Sequence, residues 1–224
     1  IPFNIGGTDA ISTYEIPCGY IKRPCNGEEE PALNWADLTV TKDGKRVGLS
    51  VMSDSKYSYD CPGAELRLTA LRNVIFADHY SDRPAAEFNF TDEGLNRFSY
   101  GIYLHGGEAE KSDIVKEAHL FNNSIVAVPE SYHKGTLPQK DSFLYTNLDN
   151  VCVTALKRCE DGSGDLIIRL YETKGIEDSK GYVMSKMFDN GFWFDIKKHE
   201  IKTFRIDRDT NVREVNFLEG IIEN

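Results

Sequence analysis

The sequence predicts an all-β protein made of two β units joined by one helix. Short segments rich in β-branched and aromatic residues recur along its 224 residues, and clusters of glycine, aspartate and asparagine separate them. Such regular spacing of short strands is typical of β-sandwiches. Only residues 108–122 carry apolar side chains at helical spacing. We therefore expect β units at residues 1–107 and 139–224, with a helical connector and loop at residues 108–138.

The first unit is organised around residues 35–72. Residues 35–38, 47–52 and 66–72 are apolar or alternate between apolar and polar, and are predicted to be strands. Residues 53–60 between them form a polar loop. Before this stretch we predict a strand at 12–21, interrupted at Pro17 and Gly19, and an acidic loop at 22–31. After it we predict an irregular segment at 73–83 and strands at 87–90 and 97–105, the second of which ends at Gly106 and Gly107.

The predicted helix begins after Ser112, a candidate N-cap residue, and places Ile114, Ala118 and Phe121 on one face. Short strands resume beyond it, with turns predicted at residues 161–164 and 189–191. The predicted strands of this half are 125–128, 143–146, 151–156, 166–172, 182–184, 192–196, 201–206 and 212–218.

The composition excludes several classes of partner. The net charge is −10, the isoelectric point is near 5.0, and no basic stripe is present. A phosphate backbone is bound through clustered lysine and arginine, so neither nucleic acid nor an anionic membrane is an expected partner. No apolar run approaches the roughly 18 residues that a membrane-spanning helix needs.

The cysteines indicate a reducing compartment, so we expect a cytoplasmic location. Their number is odd and they contain no C-x-x-C pair, which favours free thiols over a disulfide framework. They are Cys18, Cys25, Cys61, Cys152 and Cys159. The chain opens at Ile1 in an apolar run without a methionine, and we interpret it as a fragment of a longer protein.

The polar loop at residues 53–60 is the best candidate for contact with a ligand. On an extended strand, Asp54 and Lys56 would share one face about 6.6 Å apart, close enough to hold a hydroxyl-rich ligand together. Tyr57 and Tyr59 would point to the opposite face. Two interpretations remain open, a sugar-contacting or interdomain loop and a solvated connection between strands.

No complete set of catalytic or metal-binding residues is found. A glycosidase needs two carboxyl groups about 5 to 9.5 Å apart, whereas Asp54 and Asp60 would lie roughly 20 Å apart on an extended strand. His105 precedes two glycines as in lipases, but the G-x-S-x-G pentad of that fold is missing. The cluster of Asp78, His79 and Asp82 lacks a further ligand for a metal ion. We therefore predict no catalytic residue and no metal ligand in this chain.

A series of motifs in order along the chain resembles a known family. Thr13-Tyr14-Glu15-Ile16 leads to Gly19-Tyr20-Ile21-Lys22-Arg23-Pro24, and is followed by Asn34-Trp35-Ala36-Asp37-Leu38, by residues 52–58, by residues 66–72 and by residues 98–107. Residues 142–144, 155–157, 166–172 and 200–205 continue the series. Together they resemble the C-terminal β region of the glycoside hydrolase family 38 α-mannosidases, especially the bacterial and cytosolic branch.

The resemblance implies the later portion of a mutarotase-like super-sandwich, followed by a small C-terminal β-sandwich. It also implies that a zinc ion and an aspartate nucleophile, which cleave α-mannosides with retention, lie in an N-terminal barrel that is missing here. The expected partners are that barrel and an α-mannoside glycan, and this chain carries no cofactor. Candidates to face the barrel or the substrate are Trp35, Asp37, Asp54, Lys56, Tyr57 and His105.

The chain departs from the family pattern at three places. Ser53 replaces an asparagine, Ser58 replaces a glycine, and the loop after Pro24 is reduced to residues 25–30. An alternative interpretation is a stand-alone carbohydrate-binding or interaction module without catalysis. Its candidate aromatic platforms are Trp35, Tyr57, Tyr59, Phe192 and Trp193.

Overall fold

A computed structural model describes residues 1–75 and 89–222, with the side chains of residues 189 and 190 left out. The described residues form sixteen strands, one 3₁₀ turn and one α-helix. They group into two compact units, one made of Ile1–Ile16 and Tyr20–Ser124 and the other of Pro17–Gly19 and Ile125–Asn224. The prediction of an all-β fold is confirmed.

The first unit contains two antiparallel sheets. A five-stranded sheet has the order β3-β2-β5-β6-β9, and a four-stranded sheet has the order β1-β8-β7-β4. Their strands are β1 Pro2–Phe3, β2 Thr8–Ile16, β3 Gly19–Arg23, β4 Glu30–Pro31, β5 Trp35–Lys42, β6 Lys45–Ser53, β7 Ser58–Asp60, β8 Leu66–Leu68 and β9 Tyr100–Gly106.

Strands β5 and β6 form the central hairpin of the first unit. Asp43 and Gly44 connect them and both have positive φ, as the tight turn of a two-residue hairpin requires. Alternate side chains of the two strands point to opposite faces of the sheet. One face packs with the four-stranded sheet in a core that includes Tyr14, Leu38, Val40, Leu49, Val51, Tyr59, Leu66 and Leu68.

The opposite face of the five-stranded sheet is called the outer face here, and helix α1 (Ile114–Asn122) packs on it against β5, β6 and β9. Trp35 and Met52 lie beneath the helix in a cluster with Ile114 and Ala118. The helix is shorter than predicted, because a 3₁₀ turn, Ala109–Lys111, occupies its expected start. The Ser112 hydroxyl accepts a hydrogen bond from the Ile114 amide at 3.2 Å, one residue ahead of the N-cap position.

The second unit contains a three-stranded sheet of order β10-β13-β14 and a four-stranded sheet of order β11-β12-β15-β16. Its core includes Ile168, Leu170, Val183, Phe194, Phe204 and Ile206. The strands are β10 Leu144–Thr146, β11 Val151–Arg158, β12 Leu166–Glu172, β13 Ser179–Ser185, β14 Phe188–Ile196, β15 Ile201–Ile206 and β16 Val212–Val215.

A buried carboxylate connects the loops at one end of this unit. Glu172 accepts hydrogen bonds from the amides of Lys174, Gly175 and His199 and from the side chain of Asn150, at 2.7 to 3.2 Å. Four donors can satisfy a buried carboxylate that has lost its hydration. Glu172 therefore has a structural role and is not available to a substrate.

Two local predictions were wrong, and a third was incomplete. The break predicted at Pro17 within residues 12–21 is present, and the segments on either side of it form two neighbouring strands, β2 and β3. Residues 125–128 form no strand: their apolar side chains are exposed, and no strand in the described part of the chain pairs with them. The turn expected at residues 189–191 lies inside β14, and the chain turns at residues 186–187. Gly191 serves close packing, because a Cβ there would lie 2.3 Å from the hydroxyl oxygen of Tyr182.

Candidate functional site

The six predicted site residues lie in two places in the first unit. Trp35, Asp37 and His105 belong to β5 and β9 and have side chains buried on the outer face of the five-stranded sheet. Asp54, Lys56 and Tyr57 lie in the loop between β6 and β7.

The buried group is centred on Asp37, whose exposed fraction is 0%. One carboxylate oxygen accepts a hydrogen bond from the Thr39 hydroxyl at 2.6 Å. The other accepts from the Ser50 hydroxyl at 2.8 Å and lies 2.8 Å from Nε2 of His105. Because an ionised carboxylate only accepts hydrogen bonds, Nε2 carries the hydrogen in this pair. Asp37 therefore connects β5 to both β6 and β9.

Strand register explains how His105 reaches Asp37 across β6. His105 is paired with Gly48, and its ring lies over that glycine, where a Cβ would come within 2.1 Å of ring carbon Cε1. The ring also stacks on Tyr103, with a centroid separation of 5.7 Å. Burial lowers the pKa of His105, but the hydrogen bond to Asp37 and the charge of Asp37 raise it by a larger amount in total, so the net shift is upward.

This arrangement is not a nucleophilic relay. A serine nucleophile needs a histidine to accept its proton, whereas the hydroxyl of Ser50 donates to Asp37. The side chains are also closed to a substrate, since that of His105 is 4% exposed. The Asp37 cluster therefore stabilises the sheet and supplies no chemistry of its own.

The surface loop folds differently from the extended strand that was assumed for it. Strand β6 ends at Ser53, whose hydroxyl accepts a hydrogen bond from the Lys56 amide at 3.0 Å and turns the chain. The predicted spacing of 6.6 Å between Asp54 and Lys56 on one strand face is therefore wrong. Asp54 accepts from the Ser55 hydroxyl at 2.7 Å and from the Ser99 amide at 2.9 Å, and these bonds lower its pKa.

Lys56 and Tyr57 border a groove of about 450 Å³, which Asp54 does not line. Across the groove, Glu29 accepts hydrogen bonds from the Thr69 hydroxyl at 2.6 Å and from Arg72 at 3.0 Å. The ring of Tyr57 is 54% exposed. The groove thus combines an open aromatic ring with charged donors and acceptors, a combination that can hold a hydroxyl-rich ligand.

Sequence reasoning missed the partners in both places. Thr39 lies two residues after Asp37 on β5, and Ser50 is paired with Asp37 on β6, so all three side chains point to the same face of the sheet. Polar residues at these positions of otherwise apolar strands were a signal that could have been used. Glu29 was assigned to a solvated acidic loop, and its pairing with Arg72, which lies 43 positions further on, has no local signal.

In the part of the chain that the structure describes, no three His, Cys, Asp or Glu side chains come together to hold a metal ion, so these residues do not fit a zinc site. The cluster of Asp78, His79 and Asp82 lies outside the described residues. The helix described here is also too short to cross a membrane, and none of the described segments forms a longer apolar helix.

Comparison with known families matches both units of the chain. The family model described as "Glycosyl hydrolases family 38 C-terminal domain" matches residues 1–80. The one described as "Glycosyl hydrolases family 38 C-terminal beta sandwich domain" matches residues 150–223. The chain belongs to glycosyl hydrolase family 38 and corresponds to its C-terminal region. The resemblance to this family is confirmed, and its bacterial and cytosolic branch stays a prediction.

Curated relatives within family 38 are much longer than this chain. Alpha-mannosidase G of Dictyostelium discoideum is 29% identical in an alignment 174 residues long that covers 73% of this chain and 14% of the relative. An Alpha-mannosidase of Saccharomyces cerevisiae is 29% identical in an alignment 200 residues long that covers 79% of this chain and 17% of the relative. The chain thus spans well under a quarter of the length of the relatives that it matches.

Proposed function

We propose that this chain is the C-terminal β region of a retaining, zinc-dependent α-mannosidase, and that it supports a catalytic barrel formed by residues outside it. The observation that carries the proposal is that C-terminal models of family 38 match residues 1–80 and 150–223. The names of the two relatives support α-mannosides as substrates. The zinc ion and the nucleophile are assigned to the barrel because the resemblance to family 38 implies it, and the described residues bring together no three side chains that could hold a metal ion.

Within this proposal, the loop between β6 and β7 forms a wall that faces the barrel. Lys56 and Tyr57 are its contacting residues, since they border the open groove. Asp54 holds the loop in shape through its bonds to Ser55 and Ser99. Trp35 and the Asp37 cluster, made of Asp37, Thr39, Ser50 and His105, act indirectly. They stabilise the sheet that contains β5 and β6, and the loop that forms the wall begins at the end of β6.

The stand-alone binding module is not favoured. Trp35 is 1% exposed and Tyr59 is 0% exposed, and Phe192 packs against the core of the second unit. These three rings therefore cannot stack on a sugar. Of the proposed aromatic residues, Tyr57 and Trp193 are exposed.

We also propose that the protein resides in the cytoplasm. The number of cysteines in the sequence is odd and they contain no C-x-x-C pair, which supports a reducing environment. Thiol labelling of the natively expressed protein under denaturing conditions should modify all five without prior reduction. Labelling that requires a reductant would contradict this location.

The function is tested on the full-length protein with a chromogenic α-mannoside. We expect turnover that a chelator abolishes and that added zinc restores, with the anomeric configuration retained in the product. Equal turnover before and after chelation would contradict the zinc-dependent mechanism, and turnover of other glycosides in preference to α-mannosides would contradict the substrate class.

A further inference from the structure

The three-stranded sheet of the second unit presents an unusual outward face. Cross-strand pairs arrange its outward side chains in three rows, which are Tyr145 with Met184, Tyr182 with Trp193, and Lys180 with Asp195. The alternate residues of β13 and β14 point the other way, and Val183 and Phe194 belong to the core. Two rows are therefore apolar or aromatic, and the third is charged.

The aromatic rows are open to solvent. Trp193 is 62% exposed, Tyr145 is 53% exposed and Met184 is 49% exposed. The rings of Tyr182 and Trp193 touch, with centroids 5.1 Å apart. Gly191 lets the Tyr182 ring lie down on the sheet, because a Cβ at this position would lie 2.3 Å from the Tyr182 hydroxyl oxygen. We call the surface formed by these three rows the Trp193 face, and the two touching rings lie at its centre. Exposed apolar patches of this kind mark binding surfaces.

A polar groove of about 470 Å³ continues from the charged row of the Trp193 face. Lys180 and Asp195 belong both to that row and to the groove. Its charged lining residues are Asp178, Asp195, Glu200, Lys180, Lys197 and Lys202, three of each sign. Asp195 is exposed, so its carboxylate can accept hydrogen bonds from a ligand.

This balance of charge selects the class of ligand. A phosphate or an acidic segment needs a surplus of positive charge, and a basic segment needs the reverse. Paired donors and acceptors without net charge match a neutral molecule rich in hydroxyl groups. Aromatic rings provide apolar surface for the C–H groups of a pyranose, while keeping polar edges near water.

We propose that the Trp193 face binds an oligosaccharide. Sugar rings stack on Trp193 and Tyr182, and their hydroxyl groups bond to Lys180 and Asp195 at the start of the groove. Met184 and Lys180 lie four residues apart on β13, about 13 Å at 3.3 Å per residue, which leaves room for a short chain of sugars. The choice of mannose as the sugar rests on the proposed function.

The test compares retention of full-length variants in gels that contain yeast α-mannan, with the enzyme chelated so that it does not hydrolyse the polymer. Any other mannan-binding site contributes equally to all variants, so differences report the Trp193 face. Trp193→Ala should weaken retention about tenfold, equivalent to roughly 1.4 kcal/mol. Trp193→Tyr should restore most of it. Tyr132→Ala, which removes a fully open ring from a loop of the same unit, should change nothing.

Turnover of a small chromogenic α-mannoside separates this proposal from the proposed function. Normal turnover by Trp193→Ala together with weakened retention supports both. Equal retention of Trp193→Ala and the unsubstituted protein, with turnover intact, would overturn the binding face alone. Weakened retention in a protein that never hydrolyses α-mannosides would leave the face standing and remove the proposed function. If Trp193→Ala changes the melting temperature or oligomeric state of the full-length protein but not its retention, the face is a protein contact and the proposal fails.

Discussion

Below about pH 6.5, where His105 is protonated and forms an ion pair with Asp37, replacing Asp37 by Asn should destabilise the first unit by about 3 kcal/mol, because removal of one partner from a buried ion pair costs roughly 3 to 5 kcal/mol. Asn keeps the size of the side chain, so packing is preserved. Its amide group, however, must replace one of the two carboxylate oxygens, of which one accepts from Thr39 and the other from Ser50 and His105. At least one buried donor then loses its acceptor.

The two tryptophans of the chain make this effect measurable. Trp35 is 1% exposed in the first unit, and Trp193 lies in the second. In a Trp193→Phe background, fluorescence during urea unfolding therefore reports on the first unit alone. The free energy of unfolding is obtained by linear extrapolation for the background, Asp37→Asn, His105→Gln and the double variant.

A double-mutant cycle isolates the contribution of the pair. We expect a coupling energy above about 1.5 kcal/mol, in the upper part of the range for residues in direct contact. A coupling energy below about 0.5 kcal/mol would show that Asp37 and His105 act independently, and the proposed role of the pair in connecting β5 to β9 would be refuted.

Three further predictions concern the first unit. The folded state raises the pKa of His105, so protonation of this residue adds stability. The added stability is complete below about pH 6.5 and is lost as pH rises through the folded-state pKa, with a slope of up to about 1.4 kcal/mol per pH unit. Urea unfolding at a series of pH values should show this fall, and His105→Gln should remove it. Gly48→Ala should cost about 2 to 4 kcal/mol, since the added methyl displaces the His105 ring; an unfolding free energy equal to that of the parent would contradict the close approach. In the full-length protein, Asp54→Ala should lower kcat/KM for an α-mannoside, and it should shift the urea midpoint by less than Asp37→Asn does. An unchanged rate would contradict the proposal that this loop faces the barrel.

The sequence predicted well what depends on local pattern. Apolar or alternating runs identified β5, β6, β12 and β15, because a strand with one buried face alternates with a period of two and a strand buried on both faces carries a nearly continuous apolar run. Spacing of three and four residues identified the helix. The all-β class and its single described helix follow from these patterns together.

Long-range pairing was beyond prediction from the sequence. Asp37 and His105 are 68 positions apart, and only the register of β6 with β9 brings the histidine over Gly48. The shape of the loop at Asp54 depends on the Ser53 hydroxyl, which ends the strand one residue before the assumed extended segment. The isoleucine and valine residues of 125–128 have strand propensity but no partner strand among the residues that the structure describes, and propensity without pairing does not make a strand.

The central claim is that this chain supports α-mannoside hydrolysis and does not perform it. The most direct measurement compares turnover of a chromogenic α-mannoside by the purified 224-residue chain and by the full-length protein, both supplied with zinc. We predict turnover by the full-length protein and none by the chain alone. Turnover by the isolated chain would contradict the account, because it would require a catalytic centre among residues to which we assign none.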